Sequence, residues 1–522
     1  MTNYLKSKAV GLLKQYWICV FIFLLFFWMR RSSPLTLDML NGSLVYRDYG
    51  GFFNYLTGYM FSWVMNVNTR FFAGLIGGVL ESNKLLIDFV TAGVIAGFVG
   101  SIIWIFNVRK NFIVAVIAGA LVLIIDNGIH SEVFMYASFL FVAPAIMFLW
   151  IVKFWENFIA MPSQKNIKLY YVVLVICSMW LETVSLGLLV ATIVFFAYFL
   201  LFLKERRKQC IRLFLISIFI SLSGFFFMLY PRFAMANIGS EGDSEAVWRR
   251  IYLLTMSVFE NNSILLGLLT LLSIIIVYKK VSQWALKIPH LIFTGYMLLV
   301  FIYNAYNVHI REMQMRNTAS HLLENTMLPV LEVAWLEFPS SELVALIMYS
   351  LLAISFLLPV FLVSSRQILL PVYGAAGAVF VSLIFSTEHF GARISSFVVF
   401  LLSAVCIGFA IEVFDIELPN LKKSKVLIIA SLVLLILPTE THLINYSHVN
   451  EIRLINEQLK ENARITQIEG RWCFDTDVLA IVAIEEDLLF RPNPGSVAHF
   501  PHWLRVHRLH PNTDVVVVQR FW

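Results

Sequence analysis

Residues 16–31 read Tyr16-Trp17-Ile18-Cys19-Val20-Phe21-Ile22-Phe23-Leu24-Leu25-Phe26-Phe27-Trp28-Met29-Arg30-Arg31. The run is wholly apolar and aromatic up to Met29, then stops at two arginines. A cleavable leader closes on small residues, whereas this one closes on Trp28-Met29-Arg30-Arg31, so it is expected to stay in the chain as a signal anchor. The remaining sequence repeats the character of this stretch. Of 522 residues 59% are hydrophobic and only 14% charged, with a mean hydropathy of +0.79. Soluble domains carry about 25% charged residues, so the composition alone describes an integral membrane protein.

A helix needs about 20 residues to cross ~30 Å of hydrocarbon. On that measure thirteen apolar runs stand out, at 14–30, 85–106, 111–126, 133–152, 168–182, 184–203, 210–230, 262–278, 288–303, 343–363, 368–386, 394–412 and 425–438. The distribution of charge tests this division independently, because basic residues collect on the inner side of a membrane. With the N-terminus inside, the inner segments hold twenty Lys and Arg and only five acids, Glu156, Glu205, Glu412, Asp415 and Glu417. The outer segments up to residue 437 hold eleven basic and seventeen acidic residues. The expected fold is therefore an all-α polytopic bundle of about thirteen transmembrane helices, N-inside and C-outside. The small net charge of +6 is a topological signal, and the basic inner loops offer no nucleic-acid surface.

Two domains are expected. Residues 1–437 form the membrane module, and residues 438–522 form a small outer α/β domain. In the latter, Val449–Arg464 has helical spacing, while Val478–Ile484 and Val515–Val518 read as strands. Cys19, Cys177, Cys210 and Cys406 lie in or beside apolar runs without metal or redox spacing, and read as small buried hydrophobes. The first outer loop, 31–84, contains an aromatic, glycine-broken stretch from Phe52 to Trp63 that suits a helix lying in the interface plane.

Polar chemistry gathers in the outer loops. Val45-Tyr46-Arg47-Asp48-Tyr49-Gly50-Gly51 follows the first span and sets an acid beside a base, between two tyrosines and ahead of paired glycines. A carboxylate held there can act as general base on a sugar hydroxyl, and Arg47 can either pair with Asp48 or hold a phosphate. A solvated loop acid is the plainer alternative. Asp38 is the rival acid, in a setting closer to a helix end. Acids at outer helix ends, Asp88, Asp126, Glu132 and Glu182, are ordinary terminal charges or contacts for sugar hydroxyls, with Asp126 and Glu182 the stronger candidates. Arg70, Arg232 and Arg393, with His389 near the last, fit phosphate oxygens by arginine's planar fork, although each also suits simple pairing with lipid phosphates. No phosphate loop, Walker motif or HExxH occurs.

Tyr46-Arg47-Asp48-Tyr49, Asn68-Thr69-Arg70-Phe71, Tyr230-Pro231-Arg232 and Glu388-His389-Phe390-Gly391-Ala392-Arg393 together resemble the GT-C superfold of integral-membrane glycosyltransferases, in particular the bacterial serotype-conversion O-antigen glucosyltransferases. The resemblance implies a GT-C-like bundle in a bacterial inner membrane with its active site on the periplasmic face. It implies transfer of a hexose, glucosyl in that family, from a polyprenyl-phosphate sugar donor to a lipid-linked glycan acceptor. Asp48 would be the base; Arg70, Arg232, Arg393 and His389 would hold the donor phosphate; Arg47, Tyr49, Asp126, Glu182 and Glu388 would contact sugar or acceptor. Many relatives have two adjacent acids where this chain has Arg47-Asp48, which favours a metal-independent site with no cofactor. An O-antigen polymerase and a transporter or flippase for lipid-linked sugars are the alternatives. The first calls for arginine-rich paired outer loops, and the second for charges deep in several spans.

Overall fold

The computed structural model describes residues 2–32, 46, 49–60, 71–81, 83–107, 112–128, 141–160, 166–202, 207–236, 258–259, 262–320, 333, 336, 342–386, 392–417, 429, 431–436, 438–439, 464–468, 471–476 and 515–519. Helix α1 covers Thr2–Ser32, α2 Phe71–Glu81, α3 Lys84–Ile105, α4 Phe112–Gly128, α5 Ala143–Ala160, α6 Ile167–Ser178 and α7 Glu182–Phe202. Helices α8 to α13 cover Arg207–Ala236, Ser263–Lys280, Trp284–Ser320, Glu342–Leu362, Arg366–Ser386 and Ala392–Glu417. Among the described residues, eight helices are long and apolar enough to cross a membrane, and they belong to α3, α5, α7, α8, α9, α10, α11 and α13. Ile113–Ile125, Ile167–Ser178 and Arg366–Val381 are shorter apolar helices. The protein is an α-helical membrane bundle.

Helix α13 is its axis: 83% of Ser396–Phe414 is buried, the largest share of any of the eight. It packs on α12, α9, α4 and α5, with Phe400 edge-on to Phe98 of α3 and Phe397 edge-on to Phe148 of α5. Lipid tails are as apolar as leucine, so burial of apolar area holds such helices together only weakly. Close approach and interhelical hydrogen bonds must do more. Both are present. A Cβ on Gly187 would lie 2.7 Å from Val379, and one on Gly224 would lie 2.7 Å from the backbone oxygen of Ser178. Helices α7 and α12 run antiparallel, since Gly187 meets Ala375 and Val379 while Gly374 meets Val194.

Hydrogen bonds fasten the bundle at two places. Trp155 Nε1 donates to Tyr170 Oη at 2.8 Å, and Tyr170 shares a 2.5 Å bond with Ser217 Oγ. Ser217 Oγ itself donates to Leu213 O at 2.7 Å. With the serine proton committed, Tyr170 is the donor to Ser217, and one directed chain joins α5, α6 and α8. Elsewhere Lys280 Nζ pairs with Glu412 and donates to Leu362 O at 2.7 Å. The other Glu412 oxygen accepts from Ser364 N at 2.8 Å and from the Ser364 hydroxyl. The C-terminal ends of α9 and α13 are thereby tied to the turn between α11 and α12.

Several boundaries depart from the expected runs, and two of them have a local cause. Helix α5 runs past the expected end at 152 to Ala160, because Lys153 and Glu156 neutralise each other one turn apart at 2.5 Å. The expected fifth span, 168–182, stops at Ser178, where Met179 leaves helical geometry (φ −116°, ψ 23°). Glu182 therefore opens α7 rather than closing the span before it.

In the tail, Arg464–Ile468 (β1), Arg471–Thr476 (β2) and Val515–Gln519 (β3) form one sheet, with β1–β2 antiparallel and β2–β3 parallel. Strand β3 matches the expected run at 515–518. Arg464, expected to end a helix, begins β1, and the expected strand at 478–484 and helix from Val449 lie outside the described residues. Cys177, Cys210 and Cys406 are buried free thiols, and Cys19 is partly buried.

Candidate functional site

The aromatic turn that follows α1 in the chain is held at Tyr46 and at Tyr49. Gly50 (φ 69°) and Gly51 (φ 145°) lie in backbone regions that side chains resist, so the chain can reverse there directly into the helical Phe52–Asn54. Tyr55–Met60 continues as a π-helix, and Tyr55 N donates to Gly51 O at 2.9 Å. Such π-turns are frequent at functional sites. The Tyr46 ring packs against Tyr55 with centroids 5.2 Å apart. Tyr49 lies over Gly58, so close that a Cβ there would come within 2.7 Å of its ring. Tyr55 is buried, and its hydroxyl donates to Gly74 O of α2 at 3.2 Å. Phe52 and Phe53 remain exposed. The two tyrosines that flank Arg47 and Asp48 are thus fixed to a short aromatic helix, which is fixed in turn to α2.

A second set of groups lies where α6 turns into α7. Helix α6 has twelve residues, about 18 Å at 1.5 Å per residue, well short of ~30 Å of hydrocarbon. The turn Met179–Leu181 and the buried Glu182 follow. Helix α8 passes tight against Ser178 at Gly224 and continues to Ala236. The Phe397 ring of α13 reaches Gly187 of α7. Glu182 sits in the first turn of α7, where the helix dipole favours a carboxylate.

A third group is not visible as a unit in the sequence. Arg30 and Asp88 are both fully buried, with Nη2 3.4 Å from Oδ1. Asp88 Oδ2 accepts from Lys84 Nζ at 2.8 Å and lies 3.6 Å from Arg31 Nη1. Lys84 Nζ also donates to Arg30 O at 2.9 Å, fastening α3 to the end of α1. In the sequence Asp88 reads as a plain helix-end acid because its partner Arg30 is distant along the chain. The one local hint is Lys84 at i−4.

Of the expected site residues, Tyr49 and Glu182 have described side chains, the first partly exposed in the clasped turn and the second buried at the start of α7. Asp48, Arg47, Arg70, His389 and Glu388 lie outside the described residues. Asp126 lies on α4, Arg232 on α8 and Arg393 on the first turn of α13, with side chains outside those described. Among the described residues no three His, Cys, Asp or Glu side chains gather as a metal site requires. No family model matches the chain, no curated protein matches it, and no solved structure matches it.

Proposed function

We propose that the chain is a GT-C-like membrane glycosyltransferase of about thirteen spans. It stands N-inside in a bacterial inner membrane, with its reactive face and an 85-residue α/β domain (438–522) on the periplasmic side. The donor is a polyprenyl-phosphate hexose, glucosyl by family resemblance, and the acceptor is a lipid-linked glycan such as O-antigen. Asp48 takes the proton of the attacking acceptor hydroxyl as that oxygen bonds the anomeric carbon. The bond from that carbon to the donor phosphate breaks, and Arg70, Arg232 and Arg393 with His389 receive the leaving phosphate. Arg47, Tyr49, Asp126, Glu182 and Glu388 contact sugar or acceptor, and neither metal nor cofactor takes part.

The observation that supports this best is the clasp on the acid-bearing turn, Tyr46 on Tyr55 and Tyr49 on Gly58, beside the exposed Phe52 and Phe53. Packing at Tyr46 and Tyr49, on either side of Arg47-Asp48 in the sequence, supports a positioned acid between them. Buried Glu182, in the first turn of α7, is a second polar group that such a reading uses.

The experiment is Asp48→Asn. In cells producing normal protein levels the variant should leave glycan chains at full length but without the side sugar, and purified protein should not turn over a polyprenyl-phosphate hexose. Intact modification would remove Asp48 from the mechanism. A deletion strain with single-repeat glycans would point to a polymerase instead.

A further inference from the structure

We infer that Arg31 and Lys84, seated on the buried carboxylate of Asp88, hold the phosphate of a lipid whose chain lies along the outer faces of α1 and α3. The inference stands apart from glycosyl transfer and uses none of the residues assigned to it.

Charge comes first. Among the described residues Arg30, Arg31 and Lys84 converge on one carboxylate, Asp88. Three cations on one acid repel one another, and an anion placed between the outer two relieves that repulsion. The outer two are the accessible ones: Arg31 is 48% exposed and Lys84 30%, while Arg30 and Asp88 are fully buried. Arg31 is held at 3.6 Å, beyond hydrogen-bond length, so its planar fork can meet phosphate oxygens two at a time.

Apolar surface comes second, and it fixes the kind of anion. Val20, Leu24 and Trp28 are exposed on α1, and Arg31 follows them at helical spacing on the same stripe. Leu85 and Phe89 are exposed on α3. Phe89 stands edge-on to Phe23 and Phe27 at 5.2 and 6.2 Å, so the two helices present one continuous apolar face. A cationic head at the top of an exposed aliphatic and aromatic track matches an amphiphile with a phosphate at one end. Free phosphate would use only the head.

The test uses the full chain, delipidated in an uncharged detergent, with the thermal-unfolding midpoint read against added phosphatidylglycerol, farnesyl phosphate, inorganic phosphate or diacylglycerol. Phosphatidylglycerol or farnesyl phosphate should raise the midpoint. Arg31→Ala and Lys84→Gln should each demand about tenfold more lipid for the same rise, and Arg31→Lys should fall between. Inorganic phosphate should act only at much higher concentration, and diacylglycerol not at all. Equal responses to the two phospholipids mark a membrane phosphodiester as a sufficient ligand; a response to farnesyl phosphate alone marks a phosphomonoester. Either supports the site. An unchanged lipid response in both Arg31→Ala and Lys84→Gln would overturn it, as would diacylglycerol matching phosphatidylglycerol. Because no sugar transfer is read, an inactive Asp48→Asn protein should retain the full response, so the site and the transferase reading fail separately.

Discussion

Arg30 Nη2 stands 3.4 Å from Asp88 Oδ1, and neither side chain has any exposed surface. Breaking a buried pair by removing one partner costs about 3–5 kcal/mol, whereas replacing both with apolar residues of similar volume is often neutral. Asp88→Ala is therefore expected to lower the unfolding midpoint severely, and Arg30→Met combined with Asp88→Leu to recover most of the loss. A double-mutant cycle on the detergent-purified protein measures the coupling. Additive single effects would show that the pair does not hold α1 to α3.

The chain Trp155–Tyr170–Ser217–Leu213 makes a directional prediction. Tyr170 accepts from Trp155 and donates to Ser217, so Tyr170→Phe strands the buried indole N–H and costs about 1–3 kcal/mol. Ser217→Ala removes an acceptor but leaves the indole satisfied, and should cost less. Unfolding midpoints of the two variants rank them; the reverse order would mean that the tyrosine proton points elsewhere.

Hydropathy alone makes much of this architecture legible. The expected runs at 85–106, 184–203 and 343–363 fall within a residue or two of Lys84–Ile105, Glu182–Phe202 and Glu342–Leu362. Where the two differ, a local feature overrides the apolar window. Helix α5 carries its Lys153–Glu156 pair beyond the window, and α6 stops at Ser178 although Trp180 and Leu181 continue the apolar run. Helix α10 reaches Ser320, far beyond its apolar core at 288–303, because a helix needs no lipid to continue. In the tail, Arg464–Ile468 and Arg471–Thr476 lack a period-2 alternation, with Thr466-Gln467 and Trp472-Cys473-Phe474 breaking it, so the helical spacing before them dominates the reading. The clasp around the acid-bearing turn is half visible, as tyrosines and glycines in one stretch. Its anchor on Gly74 is not, since a hydroxyl-to-carbonyl bond has no sequence signature.

Close helix contacts predict opposite outcomes for one substitution type. Gly224→Ala would place a methyl 2.7 Å from Ser178 backbone and side-chain atoms, and overpacking of this kind costs about 1–3 kcal/mol. Gly93, also helical, has nothing within 4 Å of the same position. Gly93→Ala should be neutral or stabilising by about 0.5–1 kcal/mol through helix propensity alone. Comparing the two midpoints separates packing from propensity, and similar values would mean that α8 does not approach α6 so closely.

The paired glycines of the turn are not equivalent. Gly50 has φ 69°, within the left-handed region that asparagine also visits, so Gly50→Asn should preserve the clasp of Tyr46 and Tyr49. Gly51 has φ 145° and ψ 167°, a region essentially closed to any residue with a Cβ. A methyl added at either position would meet no atom within 4 Å, so crowding is no obstacle and the difference is torsional alone. Gly51→Ala should cost about 1–3 kcal/mol locally. It should also shift the start of Phe52–Asn54, loosening the frame around Arg47 and Asp48. Side-sugar addition in cells, measured at matched protein levels, should persist in Gly50→Asn and fall sharply in Gly51→Ala. If the two variants behave alike, the torsion at Gly51 does not position the acid.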